Sequence, residues 1–242
     1  MSGYKYETHL HTSESSSCGR LKAAEQVRIY KDLGYAGIIV TDHLKTLSFF
    51  AGSFTQPKPL TSWSAKAAYL SKGYLNAKKE GDKVGLDVFL GWEYYYQGSD
   101  FLTYGLNLDF LKKHRDLDKL PIKAYSALVR SNGGFICQAH PYRKLKLGHR
   151  KTPVEPLLLD SVEVFNAGRL GKGNENNKAM AFALKHDLPK QSGTDTHKSN
   201  RPFYSGIILD KKAESIFDII SAIKSAEAKL ILPESHTPSP SP

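Results

Sequence analysis

Cysteine is nearly absent: the 242 residues include only Cys18 and Cys137. Two thiols cannot build a disulfide framework, and their spacing matches no paired zinc-finger pattern. Long apolar runs are also missing. Stretches such as Tyr35–Val40 and Val84–Leu90 fall far short of the ~20 residues that cross a bilayer, so no membrane partner is expected. Met1–Thr8 is polar and carries no signal-peptide apolar segment, which leads us to expect a cytoplasmic protein. With 40% hydrophobic and 24% charged residues, the chain is neither disordered nor fibrous. We read residues 1–234 as one domain and the Ser/Pro-rich 235–242 as a disordered tail.

Acidic residues are in deficit, 24 against 34 basic, for a net charge of +10. The imbalance is local. Residues 101–150 hold 10 Lys+Arg against 3 Asp+Glu, while the other blocks of fifty are nearly balanced. The densest run is 143–151, from Arg143 and Lys144 to Arg150 and Lys151. Such a run can be a solvated surface loop, or it can attract a phosphate ester or nucleic acid.

Short apolar strands alternate with helical patterns. Helices are expected at 22–33, 61–80, 122–131, 174–186 and 215–226. Strands are expected at 35–40, 84–92, 134–138, 161–165, 189–192 and 204–209, with a further apolar stretch at 101–108. This order points to a parallel α/β sheet or barrel. The segment 51–62, rich in Gly, Pro, Ser and Thr, reads as a loop.

The strand candidates end in metal-binding residue types: His9 and His11, His43, Glu93, His140, Asp195 and His197. In a (β/α) barrel the C-terminal strand ends share one mouth. Residues two apart on a strand face the same side, so His9 with His11, and Asp195 with His197, each present a pair of ligands. These are more N/O donors than one tetrahedral ion requires, which suggests two or three ions. A carboxylate such as Glu93 can bridge two of them. Isolated histidines are weak signals, and His114, His149, His186 and His236 receive no role.

In order, His9-Leu-His11-Thr, Thr41-Asp-His43, Gly91-Trp-Glu93, Gln138-Ala-His140-Pro141, Glu163-Val-Phe-Asn166 and Ser192-Gly-Thr-Asp195-Thr-His197 resemble the motifs of the polymerase and histidinol phosphatase (PHP) superfamily. The resemblance runs from about Tyr6 to Leu209. It implies an α/β fold, a distorted (β/α)7 barrel with a metal centre at its C-terminal mouth. By the same resemblance His9, His11, Glu93 and Asp195 would hold a first ion. Glu93 would bridge to a second, bound by His140 and by Asp100, which stands where the family has a His. A third ion would use His43 and His197 plus an Asp or His at a position occupied here by Ser16 or Ser17. Glu14 is the nearest substitute for that ligand and Cys18 a weaker one; otherwise the centre is binuclear. Glu163 and Asn166 match an element near the mouth, where they would support ligands or touch substrate.

The expected chemistry is hydrolysis of a small phosphate monoester, histidinol-phosphate-like or nucleotide-like, by a hydroxide bridging two divalent ions (Mn, Zn or Fe). Glu93, His43, His197 and Arg143 would carry catalysis, the imidazoles assisting the leaving group. Arg143, Arg20, Arg169 and Asn166 would contact substrate, with Lys151 and Arg201 as lesser candidates. With no companion domain in the chain, we expect a free-standing phosphatase. The alternatives are a nuclease or phosphodiesterase using the same metals, a non-phosphate hydrolase, and a non-enzymatic nucleic-acid binder. Tyr94, Tyr95 and Tyr96 either stack on a substrate ring or pack the strand. Alanine at Glu93 should abolish activity, with alanine at Lys66 as the neutral control.

Overall fold

Residue 6 opens a run in which every side chain to Leu10 is buried, polar Glu7, Thr8 and His9 included. A strand covered on both faces belongs in the interior of a sheet, and β1 (Tyr4–Leu10) lies there, parallel to β2 on one side and antiparallel to β9 on the other. The computed structural model describes residues 3–44, 62–144, 152–198 and 204–233. The loop expected at 51–62 (apart from Ser62), the basic positions 145–151 including Lys151, Arg201, and the tail 235–242 lie outside the described residues.

After β1 come α1 (Ala23–Asp32), β2 (Tyr35–Val40), the short β3 (His43–Leu44), α2 (Trp63–Val84), β4 (Asp87–Tyr96) and β5 (Ser99–Tyr104). Then follow α3 (Leu108–Lys113), α4 (Ile122–Ser131), β6 (Phe135–Ala139), β7 (Ser161–Asn166), α5 (Glu175–Lys185), β8 (Lys190–Gly193), β9 (Gly206–Leu209), α6 (Ile216–Lys224) and β10 (Lys229–Ile231). The sheet order is β10-β9-β1-β2-β4-β5-β6-β7-β8. Past β8 the chain returns to β1: Asp195 N donates to His9 O at 2.8 Å and His11 N to Thr196 O at 3.2 Å. The result is a nearly closed, barrel-shaped sheet.

The β/α alternation is interrupted after β4, where two apolar stretches are expected from the sequence with no helix between them. β4 turns directly into β5 through Gln97 and Gly98, both with positive φ, and β5 runs antiparallel to β4 and β6. This reversal brings the start of β5, rather than its end, to the barrel mouth. Asp100 reaches the mouth for that reason. The helix expected to stop at Gly81 continues to Val84, where Gly85 supplies the left-handed cap at φ 71. Gly81 is instead a packing position, since a Cβ there would meet Leu86 O at 2.5 Å.

On β5 the side chains alternate between two cores. Phe101 packs with Trp92, Tyr94 and Tyr125 under the outer helices. Leu102 and Tyr104 join Tyr6, Phe135 and Cys137, with α6 closing that cluster through Ile219 and Ile223. Tyr94 stacks on Tyr125 with ring centroids 3.8 Å apart and donates to Leu120 O, so the first of the three tyrosines packs the strand. Among the described residues, no helix is long and apolar enough to cross a membrane.

Candidate metal centre

Strand ends deliver the site. β1 runs straight into His9 and His11, both fully buried. β4 carries Glu93 at 1% exposure, paired in register with His43 of β3 and opposite Leu102 of β5. β6 ends at Ala139, and His140 follows with φ 29; beyond β8, Asp195 has φ 52. Left-handed backbone is uncommon for non-glycine residues and costs on the order of 1 kcal/mol or more. It turns these two side chains back over the mouth, and backbone hydrogen bonds hold them there: His140 N donates to Glu163 Oε2 at 2.9 Å and Asp195 N to His9 O at 2.8 Å.

Four side chains meet at one point. His9 Nε2 lies 3.1 Å from His11 Nε2. Glu93 Oε1 and Asp195 Oδ1 are each 3.5 Å from His9 Nε2, and Asp195 Oδ1 is 3.3 Å from His11 Nε2. A tetrahedral ion with bonds of about 2.0–2.1 Å keeps its ligand atoms about 3.3 Å apart, so the separations around the two imidazoles fit a divalent ion. The donor chemistry agrees: among the described residues no donor meets hydrogen-bond geometry at either buried Glu93 oxygen, although ring nitrogens of His9, His11, His43 and His140 all lie within 3.5 Å of it. A second set shares Glu93, whose Oε1 lies 3.3 Å from His140 Nε2, with Asp100 Oδ2 3.9 Å from that nitrogen. A third brings together His11, His43 and His197, and His43 Nδ1 is 2.6 Å from Glu93 Oε2.

The electrostatics keep the carboxylates ionised. Burial raises the pKa of Glu93, but His43, His140 and His9 overcome it and hold the group well below its ordinary value. Asp195 is likewise held well below, with His9 and His197 outweighing burial. Burial disfavours charge on His9 too, yet Glu163 and Asp195 push its pKa well above normal. His11 goes the other way, lowered by burial and by the facing His43 and His197. His197, also opposed by burial, is raised to about 10 by Asp195. Cys18 is lowered to about 5, because His43 and His197 outweigh its burial.

Several sequence expectations need correction. Glu14 is not in the cluster. Its two oxygens accept from Ala23 N at 3.1 and 3.0 Å, capping α1, where a carboxylate suits the positive end of the helix dipole. Cys18 is the residue that arrives instead, with Sγ 3.1 Å from His43 Nε2. Ser16 is buried and donates to Asp42 Oδ1 at 2.6 Å. Asn166 is fully buried behind the site and donates to Glu163 Oε2 at 2.9 Å, which matches the supporting one of its two expected roles. Arg169 is committed to Glu175, at 2.7 Å from Nε and 3.2 Å from Nη2. Arg143 stands at the rim, but its Nη2 pairs with Asp100 Oδ2 at 3.0 Å. Arg20 is exposed, and its backbone N donates to His197 O at 2.7 Å.

Two supporting residues carried no sequence assignment. Asp42 is buried and accepts from Thr12 N, Thr12 Oγ1 and Ser16 Oγ; burial raises it to about 6 despite these bonds. Its only sequence signal was its place before His43. Gly193 lies against β1, where a Cβ would come within 2.6 Å of His9 Cβ.

No family model matches the sequence, and no curated protein does. Solved structures do. One is a two-domain protein from Bacteroides vulgatus described as containing a predicted PHP-like metal-dependent phosphoesterase. It aligns at 15% identity and TM-score 0.69, over 95% of this chain and 64% of that one. The chain shares the fold of that protein. A Bifidobacterium adolescentis protein assigned as a metal-dependent phosphoesterase aligns at 15% identity and TM-score 0.51, over 88% of this chain and 92% of that one. A Chromobacterium violaceum protein described as an amidohydrolase with bound sulfate gives 12% identity and TM-score 0.55, over 90% and 96%. This fold thus occurs under more than one activity label, and the chemistry of this chain has to be argued from its own residues.

Proposed function

We propose that the protein is a metal-dependent phosphoesterase acting on a small phosphate monoester. One observation carries the reading: the Nε2 atoms of His9 and His11 lie 3.1 Å apart and each is 3.3–3.5 Å from an oxygen of Glu93 and of Asp195, and the same Glu93 reaches His140 at 3.3 Å. Divalent ions in such paired positions supply Lewis-acid charge neutralisation and lower the pKa of water. The chain's own part is to hold the carboxylates ionised and orient the imidazoles, with cationic groups at the rim. Arg143 is the rim residue best placed to meet a phosphoryl group, because Asp100 anchors one edge of its guanidinium. A cytosolic location fits two cysteines that are both unpaired.

The test combines metal content by mass spectrometry with release of phosphate from an aryl phosphate, with and without chelator. Two or more ions per chain and chelator-sensitive release are expected. Turnover of oligonucleotides but not of monoesters would replace this reading with the nuclease one. Metal without action on any phosphate ester would overturn both.

A further inference from the structure

One nucleophilic group at the mouth is unused by the reading above. Cys18 lies seven residues after His11, and the chain between them folds back tightly. Ser16 N donates to Thr12 O at 3.0 Å, Gly19 N to Ser16 O at 2.9 Å, and Arg20 N to His197 O at 2.7 Å. Gly19 makes the fold possible, since a Cβ there would meet Thr12 O at 2.5 Å. The last of these bonds ties the loop to the backbone of His197, and Cys18 is carried in between His197 and His43. Ser16 is not available as a ligand. Its hydroxyl donates to Asp42 and accepts from His43 N at 3.1 Å.

His43 has one nitrogen on each side of this arrangement. Nδ1 faces Glu93 Oε2 at 2.6 Å, and Nε2 faces Cys18 Sγ at 3.1 Å. A ring nitrogen of His197 lies within 4.8 Å of one of His43, and His197 Nδ1 is buried with no hydrogen-bond partner among the described residues. In a tetrahedral site with bonds of about 2.3 Å to sulfur and 2.0–2.1 Å to nitrogen, S and N stand about 3.5 Å apart. The observed separation is within half an ångström of that. Cys18 is partly exposed, as is His197, which leaves a side open for a fourth ligand.

We propose that Cys18, His43 and His197 form a thiolate-containing metal position that prefers a thiophilic ion such as Zn2+ over Mn2+ or Mg2+, beside positions built from nitrogen and oxygen alone. Thiolate is a soft ligand that favours Zn2+ and Co2+ over the harder cations, whereas His and carboxylate ligands accept a wider range. The inference rests on the reading of this mouth as a metal centre and adds to it a ligand and a selectivity.

The experiment is to load the metal-free full-length protein with Co2+ and record its near-ultraviolet sulfur-to-cobalt charge-transfer absorption. Bound zinc per chain is counted in parallel. The band is expected in the native protein and lost in Cys18→Ser, with one fewer zinc per chain. Cys18→Asp should restore the count without the band and move the preference toward Mn2+. The chain's one other cysteine, Cys137, is fully buried in β6, so the band reports Cys18. If Cys18→Ser does not fold, the native spectrum still decides, together with protection of Cys18 from iodoacetamide by Zn2+. A cobalt-loaded native protein without the band, or a Cys18→Ser protein with an unchanged metal count, overturns the proposal. Aryl phosphate hydrolysis in the same samples separates the two readings. Hydrolysis without the band sinks the thiolate ligand alone, and the band without hydrolysis sinks the phosphatase reading alone.

Discussion

Glu163 binds His9 from behind: its Oε1 accepts from His9 Nδ1 at 2.8 Å, both groups fully buried. That bond fixes the tautomer of His9, leaving Nε2 to face Glu93 and Asp195. The second oxygen of Glu163 accepts from His140 N and from Asn166 Nδ2. One carboxylate thus sets the orientation of residues on both sides of Glu93.

Glu163→Gln should keep the fold and weaken the centre. An amide has one acceptor oxygen where the carboxylate has two, so either His9 or the His140 backbone loses its partner. Metal affinity, measured by competition with a chromogenic chelator, should fall about 10–100-fold, with activity recovering at high metal concentration. Unchanged affinity would remove Glu163 from the account.

Gly193→Ala should act on the same pair by crowding. The added Cβ would stand 2.6 Å from His9 Cβ and 2.8 Å from Glu163 Oε1, neither of which can retreat from a buried site. A loss of about 1–3 kcal/mol in stability is expected, with metal binding weakened beyond what the stability loss explains. Denaturant titration of the metal-free protein together with chelator competition would show both.

Lys66 is unsuitable as a neutral control. It is 6% exposed and its ammonium pairs with the buried Asp118. Lys66→Ala would strand that carboxylate, so a destabilisation of about 3–5 kcal/mol is expected. Lys66→Met with Asp118→Leu should recover much of it. The exposed Lys123, at 71%, is the appropriate control for Glu93→Ala in activity assays.

The Arg169–Glu175 pair makes a pH-dependent prediction. Burial raises the Glu175 carboxyl, but Arg169 and the Lys144 amide overcome it and hold it below its ordinary value. A carboxylate lowered on folding contributes stability above its unfolded pKa, near 4.5, and loses it as pH falls through the folded value. Arg169→Ala should therefore be less stable than the native protein at pH 7, by at most about 1 kcal/mol for a pair so near the surface. The two unfolding curves should converge in acid. A difference that persists in acid would mean that Arg169 acts through packing alone.

Local sequence was enough to place the strand-end ligands. His9 and His11 stand two apart on an extended run, and Glu93, His140 and Asp195 follow apolar stretches, so period-two geometry and barrel topology bring them to one mouth without knowledge of any contact. The helix at Ala23–Asp32 was legible for a similar reason, because 3.6-residue periodicity is a local property. Other assignments depended on which distant groups compete for a side chain. Glu14 and Cys18 lie four residues apart in one loop, and nothing local says that the carboxylate caps α1 while the thiol meets His43. Asp100 reached the mouth only because β5 reverses direction after a two-residue turn. Arg169 and Asn166 looked available in sequence, but the fold supplies each with a closer partner, Glu175 and Glu163. Ligand types and their spacing are written along the chain by strand periodicity. Which of them meet at the mouth, and which are taken by a neighbour, follows from long-range packing that burial and charge pairing settle only once the barrel has closed.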